Sequence, residues 1–426
     1  MKELKVAIHG ENLRLTAVEE ILNHQGVIFE AFEEEREYPC VISTIDRFKD
    51  INQNNVVLAD EIVPMEEIIF ALSGVLNNNF KEPEVNKYEF KLKEEIKKVF
   101  FEQNLPFIRK WFWPNFVKYC CVMTHDIDRM SIPPNSARKE TPIVIKAIMR
   151  VVYYYQKYLL RRKKFEDYID LILTLENRYN IKSSFYFFPD YSDVTYEEFV
   201  NLLNKLKKGN FEVGLHSNST SQEQLEREKQ ELEKKFGGGI VGSRQHTLKF
   251  SVPKTWQYQE QLLDYDLSFY RNEEFGFRAG LCFPYRPLNT CSIIEIPTSF
   301  MDWTALHKKM NYDQIKVVLS KIFMQIESYN GCLVLNFHNE YFNKMTFPHI
   351  YKTFIDTLEY ILNDYWVTTA RECVTWWKRR ESAKIDVQIE NNKIIGSSSD
   401  KIPLIIEYKN GNISYLNAKG NFTIDL

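Results

Sequence analysis

Between about residues 115 and 380 the chain alternates between two hydrophobic periods, and this alternation constrains the fold more than any other feature. Apolar runs that read as strands occupy 119–123, 183–188, 211–215, 240–244, 292–296 and 332–337. Stretches with helical spacing occupy 165–179, 195–208, 221–235, 253–263, 313–328 and 348–362. Strands that alternate with helices pair in parallel and carry the helices outside. Units repeated this often predict a barrel rather than an open sheet, and barrels of this type place reactive residues at strand C-terminal ends.

The flanks read differently. Residues 1–114 mix short strand-like runs (5–9, 56–58) with helical ones (16–24, 91–103), as in an α/β accessory domain, and Trp111-Phe112-Trp113-Pro114 marks its boundary. Residues 381–426 predict a small antiparallel β module with strands at 384–390, 404–408 and 412–416. Asn391-Asn392 and Asn410-Gly411 are its turn signals, and Pro403 stands just before a strand, where proline is tolerated. Two or three domains are what a chain of 426 residues leads one to expect.

Composition narrows the partners. A formal charge of -3 gives no basic footprint for nucleic acid. The run Arg161-Arg162-Lys163-Lys164 reads as a solvated helix end. The seven cysteines contain no C-x-x-C, so neither a zinc ribbon nor a redox motif is supported, and reduced thiols in a cytoplasmic protein are expected. The N-terminal residues lack the apolar core of a signal peptide. No run approaches 18 uninterrupted apolar residues, so no membrane span is expected. Residues 143–160, with Tyr153-Tyr154-Tyr155, read as an amphipathic helix that could rest on a membrane surface or a protein partner.

The reactive side chains fall at strand ends. Thr124-His125-Asp126-Ile127-Asp128 closes the run at 119–123. Residues at i and i+2 of an extended segment point the same way, so Asp126 and Asp128 are expected in one pocket. Two close carboxylates repel unless a cation lies between them or one takes a proton, which points to a metal or a general base. His216, Arg244 with His246, Asp302 with Trp303, and His338 follow later strands. Carboxylate plus imidazole is the donor set of a zinc-type hydrolytic site.

In this order, Thr-His-Asp-x-Asp, Gly-Leu-His-Ser, Arg-Gln-His, Met-Asp-Trp and Leu-x-x-His resemble the metal-dependent polysaccharide deacetylases, a carbohydrate esterase family, in their Thr-His-Asp-x-Asp branch. The resemblance spans roughly residues 115 to 380. It implies a distorted (β/α) barrel and hydrolysis of N- or O-acetyl groups on a sugar or polysaccharide precursor. It implies a divalent ion, zinc first, held by Asp128 and His216. Asp126 becomes the base, Arg244 the residue that steadies it, Asp302 the residue that orients the catalytic histidine, and His338 the general acid. Thr220 stands where the family carries a second histidine one helical turn after the first, and His246 is the expected substitute. Asp302 or Glu340 could raise the His338 pKa. Among aromatic residues, Tyr186, Phe187, Trp256, Tyr285 and Trp303 could stack on sugar rings, and Arg278 could bind an anionic substituent. Another amide or C–N hydrolase on the same barrel, and a metal-free glycan-binding relative, stay open as alternatives.

Overall fold

A computed structural model describes residues 2–34, 36–45, 55–75, 80–130, 166–288, 290, 292–344 and 346–426, with 144, 147, 148, 151 and 152. The expected surface helix at 143–160 lies almost wholly outside them. Among the described residues, no helix is long and apolar enough to cross a membrane.

The chain begins with β1 (Lys2–Glu3) and a small parallel sheet of β2 (Val6–His9), β3 (Phe29–Ala31), β4 (Cys40–Ser43) and β5 (Val56–Leu58), in the order β3-β2-β4-β5. The helix Asn12–Gln25 crosses from β2 to β3 and ends at Gly26 in the left-handed region, φ 73. Glycine is needed there twice over, because a Cβ would also lie 2.1 Å from the Lys110 carbonyl oxygen. The helix Glu84–Glu102 and β6 (Phe107–Lys110) complete this part.

Nine parallel strands follow. They are β7 (Tyr119–Ile127), β8 (Ser184–Phe187), β9 (Glu212–Ser217), β10 (Gly242–Gln245), β11 (Tyr265–Asp266), β12 (Ile294–Glu295), β13 (Phe300–Met301), β14 (Cys332–Asn336) and β15 (Tyr365–Thr368). Their order is β12-β11-β10-β9-β8-β7-β14-β13, with β15 also on β7. β7 has β14 on one side, and β15 then β8 on the other. Its run Cys120-Cys121-Val122-Met123 is buried, as a strand covered on both faces requires. Cys120 and Cys332 are register neighbours, and with Cys373 they form a buried group of free thiols at the N-terminal ends of the strands.

The sheet is strongly curled. β10 and β7 are three pairing steps apart, or about 14 Å if the sheet were flat. Yet Arg244 on β10 bonds Asp126 on β7 at 2.9 Å, which only curvature allows. The alternation predicts a barrel and the resemblance implies a distorted one; the sheet is a curled half-barrel whose end strands β12 and β13 are not paired to each other. The outer helices start at side-chain caps. Thr195, Asn311 and Thr369 form capping boxes, and Ser221 caps Gln222–Phe236.

The last strands, β16 (Ile385–Glu390), β17 (Lys393–Glu407) and β18 (Ile413–Asp425), form an antiparallel sheet that also takes in β1 and β6. β17 and β18 are longer than the pattern predicted. Pro403 lies within β17, just past a register shift between Ser398 and Ile402.

Trp111, Phe112 and Trp113 are buried, and Phe283 stacks on both Phe112 and Trp377 in the same seam. Arg380, fully buried on the helix Ala370–Ser382, donates to the carbonyls of Trp111 (2.7 Å), Asn23 (2.7 Å) and His24 (3.1 Å). It thereby ties the barrel's last helix to the C-terminal end of the helix Asn12–Gln25. Arg380→Leu strands these carbonyls and is expected to destabilise by on the order of 3 kcal/mol, read as a lower urea midpoint. An unchanged midpoint would mean that the carbonyls find other donors.

Candidate metal and acid–base site

Thr124 and Asp126, two residues apart on β7, both meet Arg244, whose Nη1 donates to the Thr124 hydroxyl and to Asp126 Oδ1 at 2.9 Å each. His125, between them, turns the other way. It bonds Glu176 of the helix Glu166–Arg178 at 2.9 Å and the Phe337 carbonyl at 2.8 Å. The second oxygen of Asp126 accepts from Asn336 Nδ2 at 2.9 Å. Burial pushes the Asp126 carboxyl up, but Arg244, with His216 and His338, outweighs it and holds the group below the usual carboxylate range.

Asp128, just past β7, meets a different set of partners. His216 Nε2 lies 3.1 Å and His246 Nε2 lies 3.9 Å from its Oδ1. Burial raises this carboxyl too, and the His216 contact more than reverses it. The donor logic is specific. His216 Nδ1 faces the Arg244 carbonyl at 3.0 Å, and a carbonyl only accepts, so that nitrogen carries the proton. His246 Nδ1 faces Asn218 Oδ1 at 2.9 Å in the same sense. Burial, and His216 beside it, push the His246 pKa down, which favours the neutral ring. With each Nδ1 committed to an acceptor oxygen, both rings turn Nε2 towards the Asp128 carboxylate, and Nε2 is the atom each would offer to a cation.

These three ligand atoms lie within 4.8 Å of one another. Two bonds of about 2.0–2.2 Å to a shared ion span nearly that distance, so the set fits a small divalent metal with little adjustment. Asp128, His216 and His246 are a candidate metal site.

His338 follows β14. Its Nδ1 bonds Asp302 Oδ1 at 2.6 Å, and its backbone N–H bonds Asp302 Oδ2 at 2.8 Å, so one carboxylate fixes both the ring and its backbone. Its Nε2 lies 3.8 Å from Asp126 Oδ2. Burial lowers the His338 pKa, but Asp302, aided by Asp128 and Asp126, takes it up to about 10. Burial pushes the Asp302 carboxyl up against the pull of His338. Of the two carboxylates the sequence offered for His338, Asp302 makes the bond.

All five expected groups, Asp126, Asp128, His216, His246 and His338, line one cleft of about 160 Å³, together with Trp303, Met301, Gln245, Thr247, Leu248 and Asn272. Arg244 and Asp302 stand behind it. Arg278 and Tyr285 are not among the lining residues. The Arg278 guanidinium packs 4.0 Å from the Phe269 ring centroid and donates to the Tyr270 carbonyl. Tyr285 is fully buried, as are Tyr186, Phe187 and Trp256, so none presents a face to a sugar. Trp303 alone of the expected platforms lines the cleft. His216 belongs to strand β9, and Thr220 is exposed in the bend after it, so the two do not share a helical turn. Three contributors went unremarked in the sequence: the Thr124 hydroxyl, Asn336 and Asn218. Asn336 had a usable signal, since it stands two residues before His338 at the end of the same strand.

The His338–Asp302 pair gives a test. Its raised folded-state value means that it stabilises the fold fully below the ordinary imidazole value near 6.5. That contribution is lost as pH rises through about 10. In Asp302→Asn the His338 pKa is expected to fall towards the ordinary value, as followed by NMR titration of the imidazole. A value still near 10 would assign the shift to another group.

No protein-family model matches the chain, and no curated protein matches it in sequence. Solved structures do resemble it. One bearing the name polysaccharide deacetylase, from Mycobacterium smegmatis, is 14% identical over 64% of this chain and 94% of its own, with a TM-score of 0.46. An allantoinase is 13% identical over 63% and 92%, with a TM-score of 0.45. A carbohydrate esterase family pseudoenzyme from Bacillus anthracis is 12% identical over 62% and 66%, with a TM-score of 0.31.

Proposed function

We propose that the chain is a metal-dependent hydrolase that removes the acetyl group from an N-acetylated sugar or polysaccharide precursor. The observation that carries this reading is the convergence of the Asp128, His216 and His246 donors beside the Asp126–His338 pair, with 3.8 Å between the latter. A divalent ion on the three donors, zinc being the best match to one carboxylate and two imidazoles, supplies an activated water and a polarised acetyl carbonyl.

The chain's own groups do the proton work. Asp126 is held ionised by Arg244, and Asn336 orients its Oδ2 on the side of His338. This carboxylate accepts the proton of the attacking water. His338 is the imidazolium at neutral pH and presents Nε2–H to the leaving nitrogen. An amine leaves poorly unless protonated, so an acid already charged at pH 7 favours an amide over an ester. Asp302 keeps that proton in place through Nδ1. Trp303 lines the cleft with an indole against which a sugar ring can pack.

The test separates base from ligand. With Zn2+ supplied and acetate release from N-acetylglucosamine oligomers followed, Asp126→Asn is expected to lose about 10²–10⁴-fold in kcat and keep its metal. Asp128→Asn is expected to lose both. The reverse pattern of metal loss would exchange the two roles. Turnover of another amide with no acetate from any sugar would move the chain to a different C–N hydrolase class.

A further inference from the structure

The third imidazole of the site stands on irregular backbone. His246 opens the short turn His246–Leu248, in which Thr247 (φ 55) and Leu248 (φ 52) both take left-handed values. Such values are strained for a β-branched residue and mark a conformation imposed by its surroundings. Asn272 donates to the Thr247 carbonyl at 3.2 Å and braces that turn. The His246 ring sits edge-on to Phe188 at 5.0 Å and to His216 at 5.3 Å. These ring contacts set its plane. They do not distinguish it from the same ring turned over about Cβ–Cγ, which would put a carbon where Nε2 now faces Asp128.

Asn218 does make that distinction. Its Oδ1 lies 2.9 Å from His246 Nδ1, and an amide oxygen can only accept. We propose that Asn218 is the positioning residue that completes the metal site. It locks His246 in the Nδ1–H tautomer, with the Nε2 lone pair turned to the point shared by Asp128 and His216. The inference rests on the reading that these three groups bind a divalent cation. The end of β9 and the residue just past it then serve two ligands, because Asn218 lies two residues past His216. His216 reaches the site directly and His246 is aimed into it from the side.

Partners of this kind behind a metal-bound histidine typically hold 10–100-fold in metal affinity. Asn218 is exposed, so its side chain can be changed without opening the core. Co2+ titration of the full chain, read by visible absorption with chelator competition, is the test. Asn218→Ala is expected to weaken Co2+ binding about 10–100-fold. Asn218→Asp keeps the acceptor oxygen and is expected to stay within about threefold of wild type, since the orienting bond of the ligand is retained. Wild-type affinity in Asn218→Ala, with binding lost in His216→Ala, would overturn the inference and leave the metal reading standing. Equal weakening in Asn218→Ala and Asn218→Asp would overturn the acceptor argument. Undiminished Co2+ binding in both His216→Ala and His246→Ala would instead remove the metal reading, and this inference with it.

Discussion

Arg244 is the residue on which the site depends. Its side chain crosses the barrel to hold Asp126 and Thr124, while its backbone carbonyl accepts a hydrogen bond from His216 Nδ1–H. Its Nε also reaches the Leu267 carbonyl. Asp126, one candidate metal ligand and two strand ends are thus referred to a single buried position. A buried guanidinium is costly unless its donors are matched. Here the match includes a carboxylate that itself needs a cation. The charges settle each other, and the curl of the sheet that brings them together is held in the process.

The two carboxylates of the Asp-x-Asp pair differ in role because their neighbours differ. Asp126 is deep and answered by a fixed cation and an amide. Asp128 stands at the strand end and faces two imidazoles. Chemically identical groups one residue apart are thereby separated into one suited to gain a proton and one suited to hold an ion. His338 completes the arrangement, since Asp302 raises its proton affinity from behind while its other nitrogen looks into the cleft.

Much of this could be read from the residues. The strands that carry Asp126 and His216, and the one that His338 follows, are long enough for an apolar pattern to register, and their C-terminal ends delivered most of the cluster. What escaped was short or neutral. β11 and β13 have two residues each, too few for any periodicity. The helix Ala370–Ser382 is not among the expected helices, and its Trp377 and Arg380 are buried. Aromatic residues in a chain this rich in them do not announce which are core, so Tyr285 and Trp256 could not be told from Trp303. Asn218 carries no charge and matches no motif, so its role is visible only through what it touches.

The pairing of β1 with β16, and of β6 with β17, has a consequence for how the chain is made. Lys2 lies opposite Ile389, so β1 meets its partner only after all the elements between them have left the ribosome. Until then the barrel can close, but the edges of β1 and β6 stay open to other chains. Loop closure over such a span is entropically slow. The interval before β16 and β17 emerge is therefore when a nascent chain of this design is most exposed to misassembly.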